Sequence, residues 1–189
     1  MTSPWVRWSA LAVALASLAA SATVVVYETI DDMARRVPVI VRGKVARSVS
    51  GWDDAHRRIW TWTEVVVSDS IKGKASGIVL VKQPGGEVEG IGQAVSGAAR
   101  FSPGEECVLF LEPAPDEAGA FRPSGLAAGK VSIVTELGQT SAVRNTDGLA
   151  FAAPAGKRAE PVAARELLGS PADFISRIRK ATATTGGAR

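Results

Sequence analysis

Cysteine, histidine and tyrosine are nearly absent from this chain of 189 residues, with one of each, and no sign of charge dominates, 22 Lys and Arg standing against 19 Asp and Glu. The single cysteine, Cys107, rules out an internal disulfide, so the fold depends on packing alone. It sits in the run Cys107-Val108-Leu109-Phe110-Leu111, where it reads as a small buried apolar residue. With His56 as its only imidazole, the chain cannot build a site of several histidine ligands, and a structural zinc site lacks its Cys and His set. A Ser-His-Asp triad would have to recruit the same His56, and no serine stands in a Gly-x-Ser-x-Gly elbow. Acids and bases are interleaved, so there is no field of one sign of the kind that nucleic-acid binding requires.

What the chain does have begins at its first residues. Met1 to Trp8 carry one base, Arg7, and no acid, and Ser9 to Ala20 are Ala, Leu, Val and Ser. Ala20-Ser21-Ala22 then places small residues where a signal peptidase cuts, which predicts a signal peptide over 1–22 and a mature chain from Thr23. Thr23 to Tyr27 prolong the uncharged stretch close to the roughly 20 residues that span a bilayer, so an uncleaved anchor is the alternative and the only route to a membrane association. Either way the domain is delivered outside the cytoplasm, periplasmic or extracellular, because Arg7 precedes the segment while Glu28, Asp31 and Asp32 follow it. Without residues 1–22 the chain keeps 167 of its 189 residues and, having lost Arg7, a formal charge of +2 in place of +3. That is enough for one domain with a sizeable core.

Patterning predicts a mainly β domain over 23–152. A short helix opens it, with Thr29 and Asp32 at capping-box spacing and Pro38 as its stop. From Val39 the period is two. The β-branched and aromatic density of Arg58 to Asp69 is the strongest strand signal in the chain, and Gly77 to Lys82 follows after the turn Lys72-Gly73-Lys74. These three segments form an antiparallel meander. Gln83 to Ser102 is rich in glycine and reads as a long shaped loop, with at most a short strand near Gln93 to Val95. Strands are expected again at Glu105 to Leu111 and within Ala120 to Val134, broken near Gly125 and Gly129. Weaker ones run over Thr140 to Arg144 and Leu149 to Phe151, joined by the turn Asn145 to Gly148. A linker over 153–169 leads to a C-terminal helix over 170–181, with Ser170 as N-cap, Pro171 at N1 and an apolar stripe of Phe174, Ile175 and Ile178. Residues 182–189 read as a disordered tail.

Five or more antiparallel strands interrupted by a long excursion predict a small OB-like barrel, since closure removes exposed edges. Val41-Arg42-Gly43-Lys44-Val45, Ile71-Lys72-Gly73, the stretch Gln83 to Val88 with Gly90-Ile91-Gly92, and Phe101 to Glu106 leading into Val108 to Leu111 resemble an uncharacterised exported bacterial β-barrel family. The resemblance spans about residues 29 to 134 and implies a domain without assigned activity. The strand order also resembles the OB-type architecture of the tissue inhibitors of metalloproteinases. Those inhibitors chelate the protease zinc through an N-terminal cysteine and brace the barrel with disulfides. Here Thr23 and the lone Cys107 stand instead, so that mechanism is not implied.

Three features invite a chemical reading and lose to simpler ones. Asp53, Asp54 and His56 read as a solvated turn rather than a metal site. Gly85 to Gly92 lacks both the Lys-Ser or Lys-Thr of a P-loop and a helix behind it, and its two acids repel an anion. Glu87 with Glu89, or Glu105 with Glu106, supply paired carboxylates without a visible cleft. The positive clue is aromatic. If Ile59, Thr61, Thr63, Val65 and Val67 face inward, Trp60, Trp62, Glu64 and Val66 face out. The same alternation sets Arg42 and Lys44 on the outer face beside Arg58 and the two tryptophans. Such a face suits stacking on a sugar ring, an aromatic peptide or a polyanion, unless the C-terminal helix covers it. The expectation is an exported, non-enzymatic binding module, without cofactor, for a glycan or an exported protein. An inhibitor or chaperone of a secreted hydrolase, and a hydrolase using carboxylates alone, are the alternatives.

Overall fold

The computed structural model describes residues 23–152 and 163–183. The signal segment 1–22, most of the expected linker (153–162) and the tail from 184 on lie outside the described residues. In chain order the elements are β1 (Thr23–Val26), α1 (Ile30–Arg36), β2 (Val39–Trp52), β3 (Ile59–Lys72), β4 (Ile78–Pro84), β5 (Gly86–Val88), β6 (Ile91–Gln93), β7 (Glu106–Pro113), β8 (Ala120–Pro123), a 3₁₀ turn (Leu126–Gly129), β9 (Lys130–Glu136), β10 (Gln139–Asn145), β11 (Leu149–Ala152), β12 (Arg165–Leu167) and α2 (Pro171–Ala183). The domain is mainly β with a short N-terminal helix and a C-terminal helix, as its patterning predicts.

The strands close on themselves. β2, β3 and β4 pair as an antiparallel meander, β4 lies parallel to β8, β8 returns antiparallel to β7, and β7 pairs antiparallel with β2. A five-stranded circuit of this order, with one parallel contact, is an OB-like barrel. Its weakest seam is the parallel one, which covers only Leu80 with Ala120 and Val81 with Phe121. The long β2 serves two neighbours and coils between them, with register shifts after Ile40, Arg42 and Val45. Gly43 sits at one of these bulges because a Cβ there would come within 2.5 Å of the Val66 carbonyl oxygen.

β7 explains why its sequence is apolar without alternation. Cys107, Leu109 and Leu111 join Val41, Val45, Val65, Val79 and Val81 inside the barrel. Val108 and Phe110 point the other way, with Ile40, into a second core built against Ile30, Met33, Val37, Phe174 and Ile178 of the helical layer. A strand buried on both faces reads as a continuous hydrophobic run. Its outer edge is divided: Glu106 to Leu109 pair with β9, and Leu111 to Pro113 pair with β8. β9 and β10 continue the sheet away from the barrel as a hairpin.

Cys107 is fully enclosed, and burial pushes its thiol up to about 12. The thiolate is the reactive form. We therefore expect no labelling of the folded protein by a thiol reagent at neutral pH, and complete labelling in denaturant; fast labelling under native conditions would contradict the buried placement.

Four expectations are corrected. The turn placed at Ser50 to Asp54 begins later, because β2 runs on to Trp52 and the reversal is Asp53 to Arg58, closed by the Arg57 amide donating to Asp53 Oδ1 at 2.7 Å. The loop Gln83 to Ser102 contains a hairpin, β5 with β6, turned by Glu89 and Gly90 at φ 52° and 78°. This is the backbone of a two-residue hairpin turn, concealed by a glutamate where Asn or Asp is usual. β11 does not return along β10 but lies parallel to β1, Thr23 facing Leu149. The segment read as linker contains β12, which joins β10 through Val143 with Leu167 and Arg144 with Glu166. Its recruitment follows from a buried arginine discussed below.

The N-cap of α2 is as predicted: Ser170 Oγ accepts from the Asp173 amide and donates to its carboxylate. α2 does not cover the tryptophans. Phe174, Ile178 and Ala181 pack on Ile30, Met33 and Ala34 of α1, and Arg177 and Arg179 pair with Asp31 and Asp69 at the rim. Asp69 lies near the end of β3 remote from Trp60 and Trp62, so the helix protects the opposite part of the strand.

Candidate ligand-binding cleft

The β3 alternation follows the sequence reading: Ile59, Thr63 and Val65 are buried, and Val66 is exposed. Trp60 and Trp62 are half-buried on the outer face. Opposite them stand Gly51 and Val49 on β2 and Pro84 and Lys82 on β4. Gly51 leaves room for the indole of Trp62, whose ring would stand 3.3 Å from a Cβ at that position.

Lys82 organises this face. Its ammonium lies 4.6 Å from the ring centroid of Trp60 and 5.5 Å from that of Trp62, a cation–π arrangement. It also binds Asp116 Oδ2 at 2.8 Å and Glu117 Oε2 at 3.1 Å, and Glu117 accepts from Trp62 Nε1 at 2.9 Å. Burial pulls the Lys82 pKa down, but its hydrogen bonds to the carboxylates of Asp116 and Glu117, with their charges, outweigh it and the net shift is upward. Asp116 is held below its ordinary value, chiefly by the hydrogen bond from Lys82. The β7–β8 loop is thus pinned over Trp62 by a charged network.

Beyond Val81 and Phe121, β4 and β8 have no further paired residues. A cleft of about 350 Å³ opens here between Lys82 to Pro84 of β4 and Arg122 and Pro123 of β8, lined also by Arg58, Trp60, Ala99, Ala114 to Asp116 and Leu126. Its lining includes the second and third barrel strands, the loop before the second strand and the loop between the fourth and fifth, together with the fifth strand, Ala99 and the 3₁₀ turn. OB-type barrels use this face and the equivalent loops to bind oligosaccharides and oligonucleotides.

Of the five residues selected from sequence, Trp60 and Arg58 meet in the cleft and Trp62 stands beside it, tied to Glu117. Arg42 and Lys44 do not join them. Lys44 faces Val66 and Arg42 faces Asp69, four and seven positions along β3 from Trp62, or roughly 13 and 23 Å at the rise of an extended strand. Arg42 is bound to Glu106 at 2.6 Å. The alternation count was sound, but it carried no register between β2 and β3. Lys82, Arg122 and the loop acids were missed; the dipeptide Asp116-Glu117 within the Pro-rich turn was the available signal.

The other chemical candidates are placed elsewhere. Asp53 closes its turn through the Arg57 amide, the contact that most lowers its pKa, and His56 stacks on Trp52 with centroids 6.3 Å apart. Glu105 pairs with Lys130 and accepts from Ser132, while Glu87 and Glu89 are exposed on the β5–β6 hairpin. None of these carboxylates lines the cleft. Comparison of the chain with family models, with curated proteins and with solved structures finds no match.

Proposed function

We propose that the protein is an exported, non-enzymatic binding module that holds a glycan in the Trp60 cleft. The observation that carries this reading is the position of the cleft. It opens where the parallel seam of an OB-like barrel ends, between the strands and loops that such barrels use for ligands, and a tryptophan stands in its wall. An indole offers a flat apolar surface for a sugar ring while demanding little conformational entropy. Trp60→Ala is expected to weaken glycan binding by about 1–3 kcal/mol, the scale of an aromatic anchor, with little change in melting temperature. Trp62→Ala removes the anchor of Glu117 and is expected to lower stability as well. Calorimetric titration of both variants against a glycan panel, with thermal melts, separates the two roles; unaltered binding by Trp60→Ala overturns the assignment.

Export is supported by the signal segment and by how the chain begins after it. Among the described residues no helix is long and apolar enough to cross a membrane. Thr23 opens β1 and donates through Oγ1 to the Ser96 carbonyl at 2.7 Å, so a cut after Ala22 leaves the strand whole. N-terminal sequencing of protein recovered outside the cytoplasm is expected to begin Thr-Val-Val-Val. Intact Met1 in a membrane pellet would replace this with the anchored alternative.

A further inference from the structure

The cleft contains three cations in different states of compensation. Lys82 is bound to two carboxylates, and Arg122 stands 3.6 Å from Glu112. Arg58 lines the same cleft, is exposed, and forms no ion pair among the described residues, its charge acting at longer range on the Asp53 carboxyl, which it helps to hold below its ordinary value. Most other arginines there, from Arg35 to Arg179, are in ion pairs.

Two features of the cleft specify complementary groups. Trp60 takes a ring, and the planar fork of Arg58 matches a carboxylate in a bidentate way. We propose that the glycan is acidic: a uronic-acid oligosaccharide, its ring against Trp60 and its carboxylate on Arg58. A neutral sugar leaves Arg58 without a carboxylate. An acidic peptide supplies the carboxylate but brings no sugar ring to Trp60.

This assignment rests on the cleft being a glycan site, and its test separates the two. The exported protein is titrated calorimetrically with oligogalacturonate and oligoglucuronate, with the same oligomers after carboxyl reduction, and with polyglutamate. The acidic oligomers are expected to bind at least about tenfold more tightly than their reduced forms, a difference of roughly 1.4 kcal/mol, and the gap is expected to shrink as salt is raised. Arg58→Gln should close the gap with an unchanged melting curve, whereas Trp60→Ala should weaken both forms. Equal binding of acidic and reduced oligomers overturns the acidic preference and leaves the glycan site standing. Polyglutamate binding as tightly as the uronates also overturns it, since charge alone would then suffice. Binding of none of the saccharides overturns both.

Discussion

Phe174→Ala is expected to destabilise the protein by about 3–5 kcal/mol, the cost of truncating a fully buried aromatic whose cavity cannot collapse. Phe174 is 1% exposed and belongs to the core that joins α1, α2, β2, β7, β9 and β10. That core has few ways to close. Phe110 and Val108 reach into it from a strand whose alternate residues are fixed inside the barrel, so β7 cannot move toward the void without disturbing the other side. The same substitution is expected to leave the cleft's affinity unchanged in whatever fraction remains folded, because α2 docks at the far end of β3 from Trp60. Chemical denaturation of Phe174→Ala beside Trp60→Ala makes the contrast: a stability loss under about 1 kcal/mol for Phe174→Ala would show that α2 is not integral to the core.

How much of this was readable in the chain depends on the range over which each residue acts. Local devices were legible. Thr29 and Ser170 cap their helices through the residues three positions on, and the aromatic strand announced itself by composition. Long-range pairing was legible only where strands follow one another, as in β2 to β4. The parallel partnerships of β1 with β11 and β4 with β8 join segments far apart in sequence and leave no periodic mark. The cleft shared both fates. Trp60 and Arg58 are neighbours in sequence and were found, whereas Lys82, Gln83 and Arg122 reach it through strand pairing. Arg42 and Lys44 stand apart from the tryptophans because alternation tells which face a side chain takes and not which residue it meets across the β2–β3 pair, where Trp62 meets Val49 and Trp60 meets Gly51.

β12 shows the same limit and yields the other large expected effect. Arg144 is the bulkiest of the fully buried side chains, an arginine in a strand whose neighbours Ala142 and Val143 are apolar. Its guanidinium binds Glu166 Oε2 through Nε at 2.9 Å and Nη2 at 2.7 Å, and its Cζ lies 6.0 Å from the Tyr27 ring centroid. Glu166 stands on β12 and is over a third exposed, so it brings a charge at modest desolvation cost to a cation that has lost its water. This is why a short segment, polar and flanked by Ala and Pro, leaves the expected linker and joins the sheet. Removing the exposed partner should therefore hurt more than removing the buried one. Glu166→Ala strands a buried charge and is expected to cost about 3 kcal/mol, toward the lower end for breaking a buried pair because water reaches Glu166. Arg144→Met keeps much of the buried volume, removes the cation and leaves a carboxylate that solvent can reach, so it is expected to cost clearly less. Urea denaturation of the two variants measures the order directly. If Arg144→Met proves the more damaging, the pair is held by packing and hydrogen bonding rather than by charge compensation, and the electrostatic account of β12 fails.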